Sequence, residues 1–279
     1  MIVSGKDNVK LISNIMKKRS KAAVTPTSPA AFHPDTPLRD AILSGWFSSG
    51  TCELFHGFSV GPNDLVADIG CGAGGNARFC AAMGAQVIVV DTDQTCLERA
   101  TELLGTVEPP ASFEARTSDG THVPIDDAVA SRVVCTEVIE HVDDPAQLMR
   151  ELVRIGKPGA LYLLSCPDNK SEAIFKRVAS HIYFERPNHI HIISQDEFAR
   201  LVEEAGLVIE QRHNYGFYWL MWWMMLWICP EEASETRSAL FEGWTKIWAL
   251  LLDQPKGLAA KQALDNALPK SQIIIARKP

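Results

Sequence analysis

A short apolar run, Leu65–Ile69, ends in four closely spaced glycines, Gly70, Gly72, Gly74 and Gly75, and a helical pattern follows at once. Few folds accommodate that order. Glycines in a strand-to-helix turn let the backbone adopt positive φ and let another group come close to it, and the N-terminus of the next helix offers free N–H groups. The alternation then continues. Residues 65–70, 86–93, 129–138, 160–167, 207–215 and 271–279 read as strands, and 75–84, 94–105, 143–159 and 194–206 as helices. Asp93 is placed to cap the second helix, Pro145 sits in the first turn of the third, and Ser194 with Glu197 forms a capping box on the fourth. Strands alternating with helices predict an α/β fold with a mostly parallel sheet covered on both faces. Ligands of such sheets bind beyond the carboxyl ends of the strands.

The flanking regions read differently. Residues 1 to about 35 are rich in proline and small polar residues and read as an arm. Residues 38–58 space Leu38, Ile42, Trp46 and Phe47 in a way that predicts helix. More than 50 residues of helical pattern separate the strand at 207–215 from the last one, with Leu240, Phe241, Trp244, Trp248 and Leu251 on one stripe. The expected organisation is an arm and helical cap over 1–60, a core over 61–215, an aromatic-rich helical insertion over 216–269 and a last core strand over 270–279.

Composition narrows the function. Asp and Glu number 34 against 27 Lys and Arg, a net charge of −7, which weighs against nucleic acid as the partner. The seven cysteines are scattered without a CxxC pair, so a reduced, cytoplasmic setting without disulfides or structural zinc is expected. The N-terminus has no long apolar segment and no cleavage pattern of a signal peptide. The apolar run 216–229 is shorter than the roughly 20 residues a membrane span needs.

Acidic residues specify the ligand of the glycine loop. A G-x-G-x-G loop alone serves dinucleotides and S-adenosylmethionine (SAM) equally. Here Asp68 precedes the first glycine, Asp91 closes the second strand where a carboxylate accepts from both ribose hydroxyls, and Asp119 stands in the next strand-end loop within reach of an adenine amino group. Acidic surroundings suit a sulfonium and an ammonium better than a pyrophosphate. Through VADIGCGAGG, VIVVDTD, SDGTHVPIDD, VVCTEVIEHVDDP, GKPGALYLLSCP and IIIARKP, the chain resembles the class I SAM-dependent methyltransferases over about 65 to 279, less the insertion. The resemblance implies a Rossmann-like sheet with an antiparallel last strand. It also implies SAM contacts at Asp68, Gly70, Gly72 and Gly74, ribose contact at Asp91 and adenine contact at Asp119, with Cys71, Thr92, Gly120 and Thr136 beside them.

The segment EVIEH bears on the reaction. Glu137, Glu140 and His141 stand at i, i+3 and i+4, so one turn of backbone can converge two carboxylates and an imidazole, a donor set suited to Mg²⁺, Mn²⁺ or Fe²⁺. Similar runs occur in ubiquinone-pathway O-methyltransferases and in small-RNA 3′-end 2′-O-methyltransferases. The latter resemblance implies a later histidine as a further ligand, His189 or its neighbour His191. The competing readings are a metal-free site with His141 as general base and Glu140 bracing it, or residues that only shape the pocket. The insertion concentrates Phe217, Tyr218, Trp219, Trp222, Trp223 and Trp227, with Trp46 available from the N-terminal side. Trp46, Phe217, Tyr218 and Trp222 are the candidate acceptor pocket; a homodimer interface, shallow peripheral membrane contact and a ligand-free helical core are the other readings.

The expected function is SAM-dependent O-methylation of a small or lipid-like hydroxylated molecule, with a divalent metal as the second candidate cofactor. RNA 2′-O-methylation, carbon or nitrogen methylation of a small molecule, and a SAM-binding scaffold are the alternatives.

Overall fold

A computed structural model of the chain describes residues 35–229 and 233–279. The arm expected over residues 1–34 lies outside the described residues. The helix expected over 38–58 stops early: α1 spans Thr36–Leu43, and a small antiparallel meander follows, β1 (Trp46–Ser48), β2 (Glu53–Phe55) and β3 (Phe58–Ser59). Turn backbone overrides the helical spacing here. Gly45, Phe47, Cys52 and Gly57 all have positive φ, which no helix tolerates. Trp46 and Phe55, cross-strand partners, then pack edge to face with ring centroids 5.0 Å apart.

The main sheet has seven strands in the order β6-β5-β4-β7-β8-β10-β9. In chain order they are β4 (Leu65–Ile69), β5 (Gln86–Asp91), β6 (Phe113–Thr117), β7 (Ala130–Thr136), β8 (Gly156–Pro167), β9 (Val208–Tyr215) and β10 (Ser271–Arg277). Only β10 runs antiparallel to its neighbours, inserted between β8 and β9. Strand β8 begins four residues earlier than the sequence suggests, because Gly156 already pairs with Ala130 as α4 (Pro145–Ile155) ends.

Side-chain alternation divides the core between the two faces. Ala67, Ile88, Val133, Tyr162 and Ile274 share one face with Leu148 and Leu152 of α4 and Phe198 and Val202 of α6 (Gln195–Glu204). Val66, Val87, Val134, Leu163 and Ile273 share the other with Ala77 and Cys80 of α2 (Gly75–Ala82), Leu97 and Ala100 of α3 (Gln94–Leu104) and the meander. A helix absent from the sequence reading, α5 (Asn169–Val178), follows β8, capped by the Asp168 carboxylate accepting from the Lys170 N–H.

The insertion is helical as expected: α7 (Phe217–Ile228), α8 (Ser234–Leu252) and α9 (Gly257–Ala267). A buried ammonium pins it to α1. Lys261 Nζ lies 3.0 Å from Asp40 Oδ1 and 2.6 Å from Asp265 Oδ2, and Trp248 Nε1 donates to Asp40 at 2.8 Å. Two carboxylates and the Ser44 hydroxyl, 2.8 Å from Lys261 Nζ, compensate the desolvation of this cation, so removing a single partner costs far more than exchanging the whole group. Among the described residues no helix is long and apolar enough to cross a membrane.

Candidate active site

The glycine loop follows from local backbone demands. Gly70, Gly72 and Gly74 have φ of 72°, 52° and 81°. A Cβ on Gly70 would lie 2.2 Å from Val138 Cγ2, and one on Gly74 would lie 2.8 Å from the Ala100 Cα of α3. Gly74 therefore lets α2 and α3 pack closely. At Gly72 a Cβ would meet nothing, so that glycine answers to its φ alone.

Asp68 sits beneath this loop inside β4, fully buried. Burial pushes its carboxyl up to about 7, the nearby Asp91 charge adds to the rise, and the Ala77 N–H in the first turn of α2 opposes it. Its Oδ2 has no partner among the described residues. An acid whose pKa rises on folding contributes stability that is complete below 3.8 and is lost as pH climbs through about 7. Asp68→Asn keeps an acceptor for the Ala77 N–H and removes the titration. Its urea midpoint is expected to be nearly flat between pH 4 and 8 as far as this group is concerned, with a gain over wild type reaching at most roughly 4 kcal/mol above pH 7. Parallel pH profiles of the two proteins would refute this account of Asp68.

A cavity of about 550 Å³ opens over the carboxyl ends of β4 to β7. Gly70, Gly72, Asp91, Thr92, Asp119 and Gly120 line one part of it, and Glu137 and His141 another. Asp91 accepts from the Gly72 N–H and the Asp93 N–H, each at 2.9 Å, so its carboxylate joins the glycine loop to the end of β5. Asp119 is exposed, and the Thr121 hydroxyl and N–H hold its carboxyl below the usual range. Asp68, Cys71, Gly74 and Thr136 stand outside the lining. Cys71 packs against the core, and the Thr136 hydroxyl accepts from Asn76 at 3.1 Å.

The EVIEH segment turns sharply where β7 ends, with Glu137 at φ 58°. Burial disfavours the Glu137 carboxylate, but the Lys270 ammonium ion-paired with it outweighs burial and holds it below the usual range. The Ser165 and Ser271 hydroxyls donate to the same carboxylate at 3.0 and 3.2 Å. Glu140 is the opposite case. Both its oxygens are buried without a hydrogen-bond partner among the described residues, Oε1 lying 3.7 Å from His141 Nε2, and burial, then the Glu137 charge, pushes its carboxyl well up.

His141 Nδ1 lies 3.2 Å from the Pro187 carbonyl, which fixes the proton on that nitrogen and leaves Nε2 as an acceptor. Burial, then His189, lowers its pKa. The His189 ring stands nearly perpendicular to that of His141 with centroids 4.9 Å apart, and its Nδ1 is 3.2 Å from Glu172 of α5. His191 faces elsewhere, its Nε2 3.0 Å from the Val142 carbonyl. Glu140, His141 and His189 thus offer donor atoms within 4.8 Å of one another. These three fit a divalent cation, whereas Glu137 would first have to give up Lys270.

The aromatic candidates lie apart from the cavity lining. Trp46 is buried against Phe55 and Tyr215. Phe217 and Tyr218 pack on Trp244 and Trp248, the Tyr218 hydroxyl 3.0 Å from Thr245, and Trp222 stacks on Phe241 at 4.6 Å. Another aromatic path does reach the histidines: Trp227 meets Tyr183 at 5.2 Å and Tyr183 meets His189 at 4.2 Å. Sequence reasoning missed Tyr183 and Glu172. The start of α5, Asp168 followed by polar residues and then Phe175, was the signal available for the latter.

A methyltransferase-domain family matches residues 59–212. A ubiquinone biosynthesis O-methyltransferase of Burkholderia pseudomallei is 31 % identical over 170 residues, which cover 56 % of this chain and 70 % of that protein. A probable SAM-dependent methyltransferase of Mycobacterium tuberculosis is 29 % identical over 143 residues, 51 % of this chain and 48 % of that one. Among solved structures, a methyltransferase-like protein of Bacillus halodurans superposes with a TM-score of 0.53 at 19 % identity, covering 79 % of this chain and 94 % of the other.

Proposed function

This chain belongs to the class I SAM-dependent methyltransferases, and from that premise we propose that it methylates a hydroxyl oxygen of a small or lipid-like molecule. SAM supplies an electrophilic methyl group on a sulfonium. Asp91 receives the ribose hydroxyls, Asp119 the adenine amino group, and the glycine loop gives the backbone close approach. His141 is the proton acceptor: it lines the cavity, its Nδ1–H is committed to Pro187, and its Nε2, 3.7 Å from Glu140 Oε1, carries no proton and can take that of the attacking hydroxyl. That geometry is the observation on which the reading rests. The O-methyltransferases among the relatives support oxygen as the acceptor atom. The aromatic path from Trp227 through Tyr183 to His189 supports an acceptor with an apolar part. Incubation with methyl-labelled SAM and a panel of phenols, catechols and aliphatic alcohols is expected to place label in a methyl ether. Label found only on carbon, nitrogen or RNA would overturn the assignment.

One observation favours a metal-assisted variant of the same reaction. The orphaned Glu140 carboxyl beside His141 and His189 is a donor set that a divalent cation would satisfy. Such an ion would clamp neighbouring acceptor oxygens and lower a hydroxyl pKa. Calorimetric titration of chelator-treated protein with Mg²⁺, Mn²⁺ and Fe²⁺, in the presence of S-adenosylhomocysteine, is the test. This variant predicts saturable binding that His189→Ala abolishes. Flat titrations would leave His141 to act alone.

A further inference from the structure

Helix α8 is apolar on two sides. Phe241, Trp248 and Leu252 are buried within the chain. On another side Leu240, Ile247 and Leu250 are 38 %, 60 % and 52 % exposed, and Gly243 lies among them with no atom within 4 Å of where a Cβ would stand. Positions 240, 243, 247 and 250 follow the 3-4-3 spacing of a helix–helix seam, and the three aliphatic side chains stay partly open among the described residues. Exposed aliphatic side chains are ordinary when single; three on one seam around an open glycine are not.

We propose that this seam pairs with its own copy, two α8 helices lying antiparallel about a twofold axis at the level of Thr245. That choice of occupant rests on self-complementarity, which an isologous contact requires. Rotated about the axis, Leu240 meets the partner's Leu250, and Ile247 meets the partner's Gly243, where the missing side chain leaves room for it. The flanking charges match too. Glu242 and Lys246 are both exposed on one edge of the seam, and in the antiparallel pair each Glu242 comes within a turn of the partner's Lys246. A lipid surface would need neither the hole nor the paired opposite charges.

Sedimentation of the full chain over a concentration series tests the pairing. The wild type is expected to move from monomer to dimer as concentration rises. Gly243→Ala is the sharpest variant. Its methyl meets nothing within the protomer and alanine favours helix over glycine, so thermal stability of the dilute protomer should hold or rise. In the dimer the same methyl occupies the space for Ile247, and the dissociation constant should increase at least about tenfold. Glu242→Lys and Lys246→Glu should each dissociate alone, and mixing the two should restore a heterodimer. A wild type that stays monomeric at every concentration overturns the proposal. So does a dimer that Gly243→Ala and both charge reversals leave unchanged.

Discussion

Asp91→Ala is expected to weaken binding of SAM and of S-adenosylhomocysteine by at least about 100-fold in calorimetry, with little change in the unfolding temperature. A carboxylate accepting from two ribose hydroxyls makes two charge-assisted hydrogen bonds, each contributing roughly 1.5–3 kcal/mol. Losing both amounts to two or more decades of affinity at about 1.4 kcal/mol per decade. The carboxylate does a second job: it accepts from the Gly72 and Asp93 N–H groups and so fixes the glycine loop against β5. Because Asp91 is only part-buried and lines the cavity, the Gly72 and Asp93 N–H groups it releases can turn to water, and the fold should tolerate the change. Asp91→Asn, which keeps one acceptor oxygen but loses the charge, should fall between wild type and alanine. Unchanged affinity in Asp91→Ala would remove this residue from the cofactor site.

The glycine loop was legible in the sequence because its geometry is local, and the position of Asp91 because it closes the next strand. A strand end, a positive-φ turn and a helix start lie within a dozen residues, and each leaves a compositional mark. The meander was not legible. Strands of two or three residues are too short to show alternation, while Leu38, Ile42 and Trp46 happen to match helical spacing up to the turn at Gly45. Nor could the sequence pair Lys270 with Glu137, 133 residues away. That contact exists because β10 enters the sheet antiparallel, so its first residues land at the carboxyl edge where β7 and β8 end, Ser271 opposite Pro167. The same limit left His189 and His191 unresolved. Only the turn between the 3₁₀ segment His181–Phe184 and α6 decides which ring faces His141.

His141→Gln is expected to reduce turnover roughly 10²- to 10⁴-fold, the range a positioned general base provides, while affinity for S-adenosylhomocysteine is retained. Glutamine keeps an N–H that can donate to the Pro187 carbonyl, so the turn should survive and the loss should isolate the base. The pH profile adds a signature. Burial and His189 hold the imidazole pKa below its ordinary 6.5, so the base is already neutral at pH 7. The wild-type rate should therefore lie on a plateau at neutral pH and fall as pH drops through that depressed pKa, and the acid limb should vanish in His141→Gln. Glu140→Gln then separates the base from the metal. Burial pushes the Glu140 carboxyl well above the usual carboxylate range, toward the neutral form that glutamine closely mimics, so turnover should be nearly unchanged when His141 works alone. A cation at Glu140, His141 and His189 would need that carboxylate ionised, and the same substitution would then abolish both metal binding and its share of the rate. Full activity in His141→Gln would take the proton away from this histidine in either version.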